Sequence, residues 1–125
     1  MNIKKIQKQL SDFADERDWD QFHNPKNLAM ALSVEASELV EIFQWLTPEQ
    51  AEVIMNTDEG EHVKEEMADI MIYLIRMADK LNVDLESAVN DKIIQNGKKY
   101  PVNLSKGNAD KSTSFITKIK KMLEL

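Results

Sequence analysis

Apolar residues recur at helical spacing almost from end to end of this chain. Ile3, Ile6, Leu10 and Phe13 stand three, four and three apart and make one stripe of a first helix. Residues 18–27 lose that period, contain Pro25 and read as a loop bearing aromatics. The period returns from about Asn27 to Leu46, with Leu28, Leu32, Leu39, Ile42 and Phe43 on one face. Thr47-Pro48-Glu49-Gln50 is a helix start, with Thr to cap, Pro at the first position and Gln at the third. It predicts a short helix to about Met55, broken by Asn56 to Gly60. A third long helix runs from about Glu61 to Leu81, its stripe being Val63, Met67, Ile70, Leu74, Met77 and Leu81. Asp84 caps a fourth, which reaches about Lys98 and is stopped by Tyr100-Pro101. Residues 102–112 read as a polar linker, and Phe115, Ile116, Ile119, Met122 and Leu123 as a last amphipathic helix. No segment alternates as a strand does, so the expected fold class is all-α.

Composition narrows the chemistry. The chain has 125 residues, enough for one domain with its own core. It has no cysteine, which excludes a disulfide frame, a thiolate zinc site, an iron–sulfur cluster and a cysteine nucleophile. No apolar run is long enough to span a bilayer, and the amino terminus lacks a signal-peptide core, so no membrane association is expected and a cytoplasmic location is. The net charge of −6 argues against a partner of polymeric nucleic acid. Its distribution is uneven: residues 35–69 hold eleven acids and one base, Lys64, whereas residues 92–125 hold eight lysines and two acids. One block suits cations and the other phosphate, although two solvated surfaces would give the same pattern.

The second helix decides how the acidic block is read. At 100° per residue, with Leu28 as origin, Leu32, Leu39 and Ile42 fall within roughly 40°, and Glu35 falls at about −20°. Glu38 lies about 60° to one side. A glutamate in mid-stripe has to be protonated, paired or bound to a cation. On the third helix Glu66 and Asp69 repeat the i, i+3 spacing on the edge of the apolar face, with Tyr73 between them in angle. Glu-x-x-Glu pairs are common on solvated helices, but the place of Glu35 favours four converging carboxylates. Lys64 is the only base in the block, so a metal is the better counter-charge. Oxygen ligands alone suit a hard cation, Mg²⁺ with Mn²⁺ as a possible substitute, and Mg²⁺ so held usually serves a phosphate substrate. A di-iron bundle needs two Glu-x-x-His motifs, and only Glu59 to His62 qualifies.

Two further groups invite a nucleotide. Lys92, Asn96 and Lys99 share one face of the fourth helix and could hold polyphosphate oxygens, or simply offset the helix dipole. Trp19, Phe22 and His23 fall within five residues, and Trp45 ends the second helix; they could stack on a base or close the end of a core.

Four ordered blocks then resemble a known family. They are Phe13 to Leu28, with Arg17, Trp19, Phe22, His23 and Pro25; Glu35-Ala-Ser-Glu38 through Trp45; Glu65-Glu66-Met-Ala-Asp69 through Leu74; and Lys92, Asn96, Lys99-Tyr100-Pro101. The set is similar to the MazG-type all-α nucleoside triphosphate pyrophosphohydrolases, and most of all to their dCTP pyrophosphatase-like branch. The resemblance covers roughly residues 10–101. It implies a four-helix-bundle core within a domain of residues 1–101, with residues 102–125 as a linker and helix packed on the same oligomer. It implies Mg²⁺-dependent hydrolysis of nucleoside triphosphates, dNTPs and dCTP-like substrates foremost, to monophosphate and pyrophosphate, a house-cleaning of the nucleotide pool. By matching position Glu35, Glu38, Glu66 and Asp69 would be the catalytic metal ligands; Glu38 is the candidate base, because Glu35 is central in the stripe and suits a full metal ligand. Lys92, Asn96, Lys99 and Tyr100 would meet phosphates and sugar, with Tyr73 nearby. Trp19, Phe22, His23 and Trp45 would form the base pocket. The family works as a homodimer or homotetramer with sites at subunit contacts. Ser37 stands where the family often has Gly, and the tail after Pro101 matches poorly. A non-catalytic nucleotide-binding regulatory module is the alternative reading.

Overall fold

The computed structural model of the chain describes residues 1–107; the helix expected around Phe115 to Leu123 lies outside them. Among the described residues six α-helices follow one another: α1 (Ile3–Glu16), α2 (Pro25–Phe43), α3 (Pro48–Glu52), α4 (Gly60–Lys80), α5 (Leu85–Lys99) and α6 (Val102–Ser105). Single 3₁₀ turns stand at Asp20–Phe22 and Ile54–Asn56, and no strand occurs among the described residues. The chain divides into two compact units, Met1–Leu85 and a second beginning at Glu86.

Local chemistry sets the boundaries. Asn2 caps α1 by accepting from the Lys5 amide at 3.0 Å. Asn24 caps α2 by accepting from the Asn27 amide at 2.9 Å, and Pro25 is the first helical residue. The proline read as part of a loop is thus the start of α2, because a first-turn N–H has no helical partner to lose. Thr47 and Gln50 form the expected capping box at α3. Residues 102–105, expected in a linker, form the single turn of α6.

Two of the helices that build the core, α1 and α4, stop without glycine. At the end of α1, Asp18 takes φ 56°, its amide bonds Asp15 O at 3.1 Å, and the Trp19 amide bonds Ala14 O at 2.8 Å. At the end of α4, Asn82 takes φ 55°, its amide bonds Asp79 O at 3.2 Å, and the Val83 amide bonds Ala78 O at 2.9 Å. These are Schellman stops, with Asp and Asn in the left-handed region that their short polar side chains tolerate. In each the carbonyl that closes the motif belongs to a buried alanine, so the stop sits on the core.

Within the first unit α4 is the central element, packed along α2 on one side and against α1 on another. Residues just ahead of α2 meet the carboxyl end of α4, whereas Glu35 meets Glu66 in its first half, so α2 and α4 run antiparallel. Leu28, Ile54, Val63, Ile75, Ala14 and Ala78 are the buried apolar residues. The expected stripe of α4 is only partly right: Met67 and Leu81 are exposed, while Ile75, Arg76 and Ala78 are buried. Contact with both α1 and α2 buries more of the helix near its carboxyl end than a single stripe predicts.

Candidate active site and metal centre

Where the middle of α2 meets the first half of α4, Glu35, Glu38 and Glu66 each present a carboxylate oxygen within 4.8 Å of the others. Glu66 is buried, and Glu35 is half-buried in the middle of the apolar stripe of α2, as the angular pattern requires. Two ionised carboxylates this close repel by roughly 3–4 kcal/mol at an effective dielectric constant of about 20. Glu35 is therefore pushed up to about 7, first by its hydrogen bond to Glu66, then by burial and by Glu38. Glu35 Oε2 and Glu66 Oε2 are buried with no hydrogen-bond partner. Buried carboxylate oxygens without partners are costly unless a cation takes their lone pairs. The donor set is oxygen only, which fits a hard divalent ion.

Asp69 stands beside this trio and adds to the negative field on Glu35. Tyr73 lies next, its hydroxyl held above the usual phenol range by burial and by the charges of Glu35 and Asp69. His62 approaches from the other side, with Nε2 3.3 Å from Glu66 Oε1 and Nδ1 3.2 Å from Glu59 Oε2. Its hydrogen bond with Glu59, more than any other contact, raises its pKa.

The aromatic group is only partly gathered. The stop of α1 delivers Trp19 against Phe13, ring centroids 5.8 Å apart and planes at 67°, with the Arg17 guanidinium 3.6 Å over Phe13. Asn27 Nδ2 donates to Phe22 O at 3.0 Å and ties the 3₁₀ turn to α2. Trp19, Phe22 and His23 thus share the amino end of α2. Trp45 stands beyond its carboxyl end, 85% exposed, with a helix of 19 residues, about 28 Å, between them. One chain does not bring Trp45 to the other three.

Lys92, Asn96 and Lys99 share one face of α5 and are exposed; Tyr100 follows, its ring centroid 5.2 Å from Lys99 Nζ. All four belong to the second unit.

The pattern reading overlooked a cationic pair at the carboxyl end of α4. Arg76, 4% exposed, donates from Nη2 to Asp20 Oδ1 at 2.7 Å and from Nε to His23 Nδ1 at 3.3 Å; Lys80 also donates to Asp20. Those bonds, that from Lys80 foremost, hold the Asp20 carboxyl below the usual range. Spacing could have revealed the pair, because Glu66, Asp69, Tyr73, Arg76 and Lys80 follow at three, four, three and four, a single row along α4.

The chain is similar to known proteins. The model of the MazG-like family matches residues 30–115. The chain is 43% identical over 114 residues to dCTP pyrophosphatase 1 of Bos taurus, covering 90% of this chain and 68% of that protein. It is 39% identical over 114 residues to dCTP pyrophosphatase 1 of Homo sapiens, covering 90% and 67%. The crystal structure of a pyrophosphatase from Archaeoglobus fulgidus superposes with a TM-score of 0.75 at 37% identity, covering 81% of this chain and 94% of that one.

Proposed function

The chain belongs to the MazG-like family, and from that premise we propose that it hydrolyses deoxynucleoside triphosphates, dCTP foremost, to monophosphate and pyrophosphate, clearing the nucleotide pool. The observation that carries this reading is the trio Glu35, Glu38 and Glu66, with two buried oxygens, Glu35 Oε2 and Glu66 Oε2, that no group of the described chain pairs. Glu35, Glu38 and Glu66, with Asp69 beside them, would hold Mg²⁺, for which Mn²⁺ could substitute. Bound there, the ion would neutralise triphosphate oxygens and polarise the α-phosphorus.

The chain's own residues supply the rest. Glu38 is the proposed base, the carboxylate that accepts a proton from the attacking water. The water oxygen joins the α-phosphorus, the bond from that phosphorus to the bridging oxygen breaks, and pyrophosphate departs. Tyr73, between the carboxylates and Arg76 on that row, is assigned to the sugar. Lys92, Asn96, Lys99 and Tyr100 are assigned to phosphates and sugar on sequence grounds alone. Trp19, Phe22 and His23 take the base. Trp45 is assigned to the same pocket through a second copy, in a homodimer or a dimer of dimers. Its separation along α2 and the exposed apolar residues Met30, Val34, Val40 and Met67 on α2 and α4 support that arrangement.

The test is hydrolysis of dCTP in ¹⁸O-water with Mg²⁺, followed by phosphorus NMR. Label in the monophosphate, with unlabelled pyrophosphate, is the expected result. Label in pyrophosphate, or products dCDP and orthophosphate, would overturn attack at the α-phosphorus.

A further inference from the structure

Arg76 has no role in the chemistry above, yet it is the most buried charged group among the described residues. A guanidinium retains its proton throughout the range in which proteins are folded, so each nitrogen contact it makes is a donation. Its Nε faces His23 Nδ1 at 3.3 Å, and Nδ1 must therefore accept. An imidazole that accepts at Nδ1 is neutral and carries its proton on Nε2. Arg76 is itself held by Asp20 Oδ1 at 2.7 Å and by Asp79 Oδ2 at 3.7 Å, so its direction is fixed from two sides. Burial and the positive charges of Arg76 and Lys80 favour the same neutral ring.

We propose that Arg76 is a positioning residue that fixes His23 as the Nε2–H tautomer, so that the pocket offers the nucleobase one N–H donor and selects for a ring nitrogen or carbonyl acceptor on its edge. The inference rests on the function proposed above and deepens it. Nε2 is on the side of the ring away from Arg76, and no partner within the described part of the chain takes its proton. His23 adjoins the same turn as Trp19 and Phe22, which supply stacking faces that every base shares. Stacking alone does not discriminate among bases, whereas a donor of fixed position does, because a base presenting a donor there leaves both protons unpaired. Arg76 stands ten residues beyond Glu66 on the same row, about 15 Å along the helix, so His23 lies toward the opposite end of the row from the carboxylates.

Two arms test it. The first is long-range ¹H–¹⁵N NMR of the side chains. The chain has only two histidines, so the spectrum of His62→Gln assigns His23. The expected wild-type signature is Nε2–H; an Nδ1–H ring or an imidazolium at pH 7 would overturn the proposal without any enzyme assay. Arg76→Met should release the ring to a tautomer mixture, and Arg76→Lys should restore part of the Nε2–H population. The second arm is a double-mutant cycle read as KM for dCTP. Arg76→Met should raise KM about tenfold with kcat within about threefold, and should add little once His23 is Gln. An undiminished penalty in the His23→Gln background would show that Arg76 acts on the fold and not through His23, and would overturn the assignment. If Arg76→Met fails to fold, Arg76→Lys carries the cycle. A wild-type protein with the Nε2–H ring that neither binds nor hydrolyses any nucleotide would refute the proposed function and the recognition half of this inference together, and leave only the tautomer standing.

Discussion

Replacing Glu35 by Gln should stabilise the metal-free protein above pH 7 while it abolishes turnover. In the unfolded chain this carboxyl ionises near 4.5, and in the folded one at about 7. Below pH 4.5 it is protonated in both states. Between 4.5 and 7 the folded chain keeps a proton that the unfolded chain has lost, so stability falls as pH rises through that window. Each tenfold change in an ionisation constant is worth about 1.4 kcal/mol, which makes the full loss at most about 3.5 kcal/mol. Partial exposure of Glu35 reduces this to about 1–3 kcal/mol. A glutamine amide does not ionise and donates an N–H to Glu66 in place of the shared proton. The assay is urea denaturation of both proteins in EDTA from pH 4.5 to 8.5, at one protein concentration. The difference between the two curves isolates Glu35, since Asp20, His23 and His62 are common to both. The two should coincide near pH 4.5 and diverge in favour of Gln above 7. Saturating Mg²⁺ should then stabilise the wild type, by about 2.7 kcal/mol at a hundredfold excess over its dissociation constant, and the variant much less. Parallel curves, or a variant less stable at pH 8, would refute the shared-proton reading of the cluster.

Mg²⁺ binding to the wild type should release close to one proton at pH 6 and almost none at pH 8.5, seen as a dependence of the calorimetric heat on buffer ionisation enthalpy. Gly60→Ala should cost about 1–3 kcal/mol in denaturant titration, because a Cβ there would stand 2.9 Å from Met55 O and 3.2 Å from its Cα, backbone atoms with little freedom to move. Asp20→Asn removes the closest anion from buried Arg76 and should lower the urea midpoint at pH 7. That penalty should shrink as acid protonates Asp20 in the wild type, below the ordinary carboxylate range. Thr47→Ala should lose about 1 kcal/mol of stability through the capping box alone and leave Mg²⁺ affinity unchanged.

Glu35 was legible because periodicity measures angle, and a charged residue within roughly 20° of a stripe's centre is an anomaly any helix would expose. The capping box at Thr47 was legible because its hydrogen bonds are local. Asn24-Pro25 was misread since proline both breaks and begins helices, and which applies depends on whether the residue before it caps. The stops at Asp18 and Asn82 went unmarked because glycine is the residue usually sought in the left-handed position. Arg76 was hidden for a different reason. Its partner Asp20 lies 56 positions away, and nothing local distinguishes an arginine that will be buried against a carboxylate from one that will reach into water. Met67 and Leu81 fall on the predicted stripe yet are exposed, because a stripe predicts one buried face and α4 has two neighbours. The aromatics of the base pocket were grouped by type, but type carries no information on which end of α2 each would occupy.

The central claim is that the carboxylate cluster makes this chain a metal-dependent nucleoside triphosphate pyrophosphohydrolase. Its most direct test is pyrophosphate release from a panel of dNTPs and NTPs, with Mg²⁺ and with EDTA, for the wild type and Glu35→Gln. Release that requires Mg²⁺, is greatest for dCTP and is absent in the folded variant is the predicted result. Release that persists in EDTA or in the variant, or none from any nucleotide by a folded wild-type protein, would contradict it.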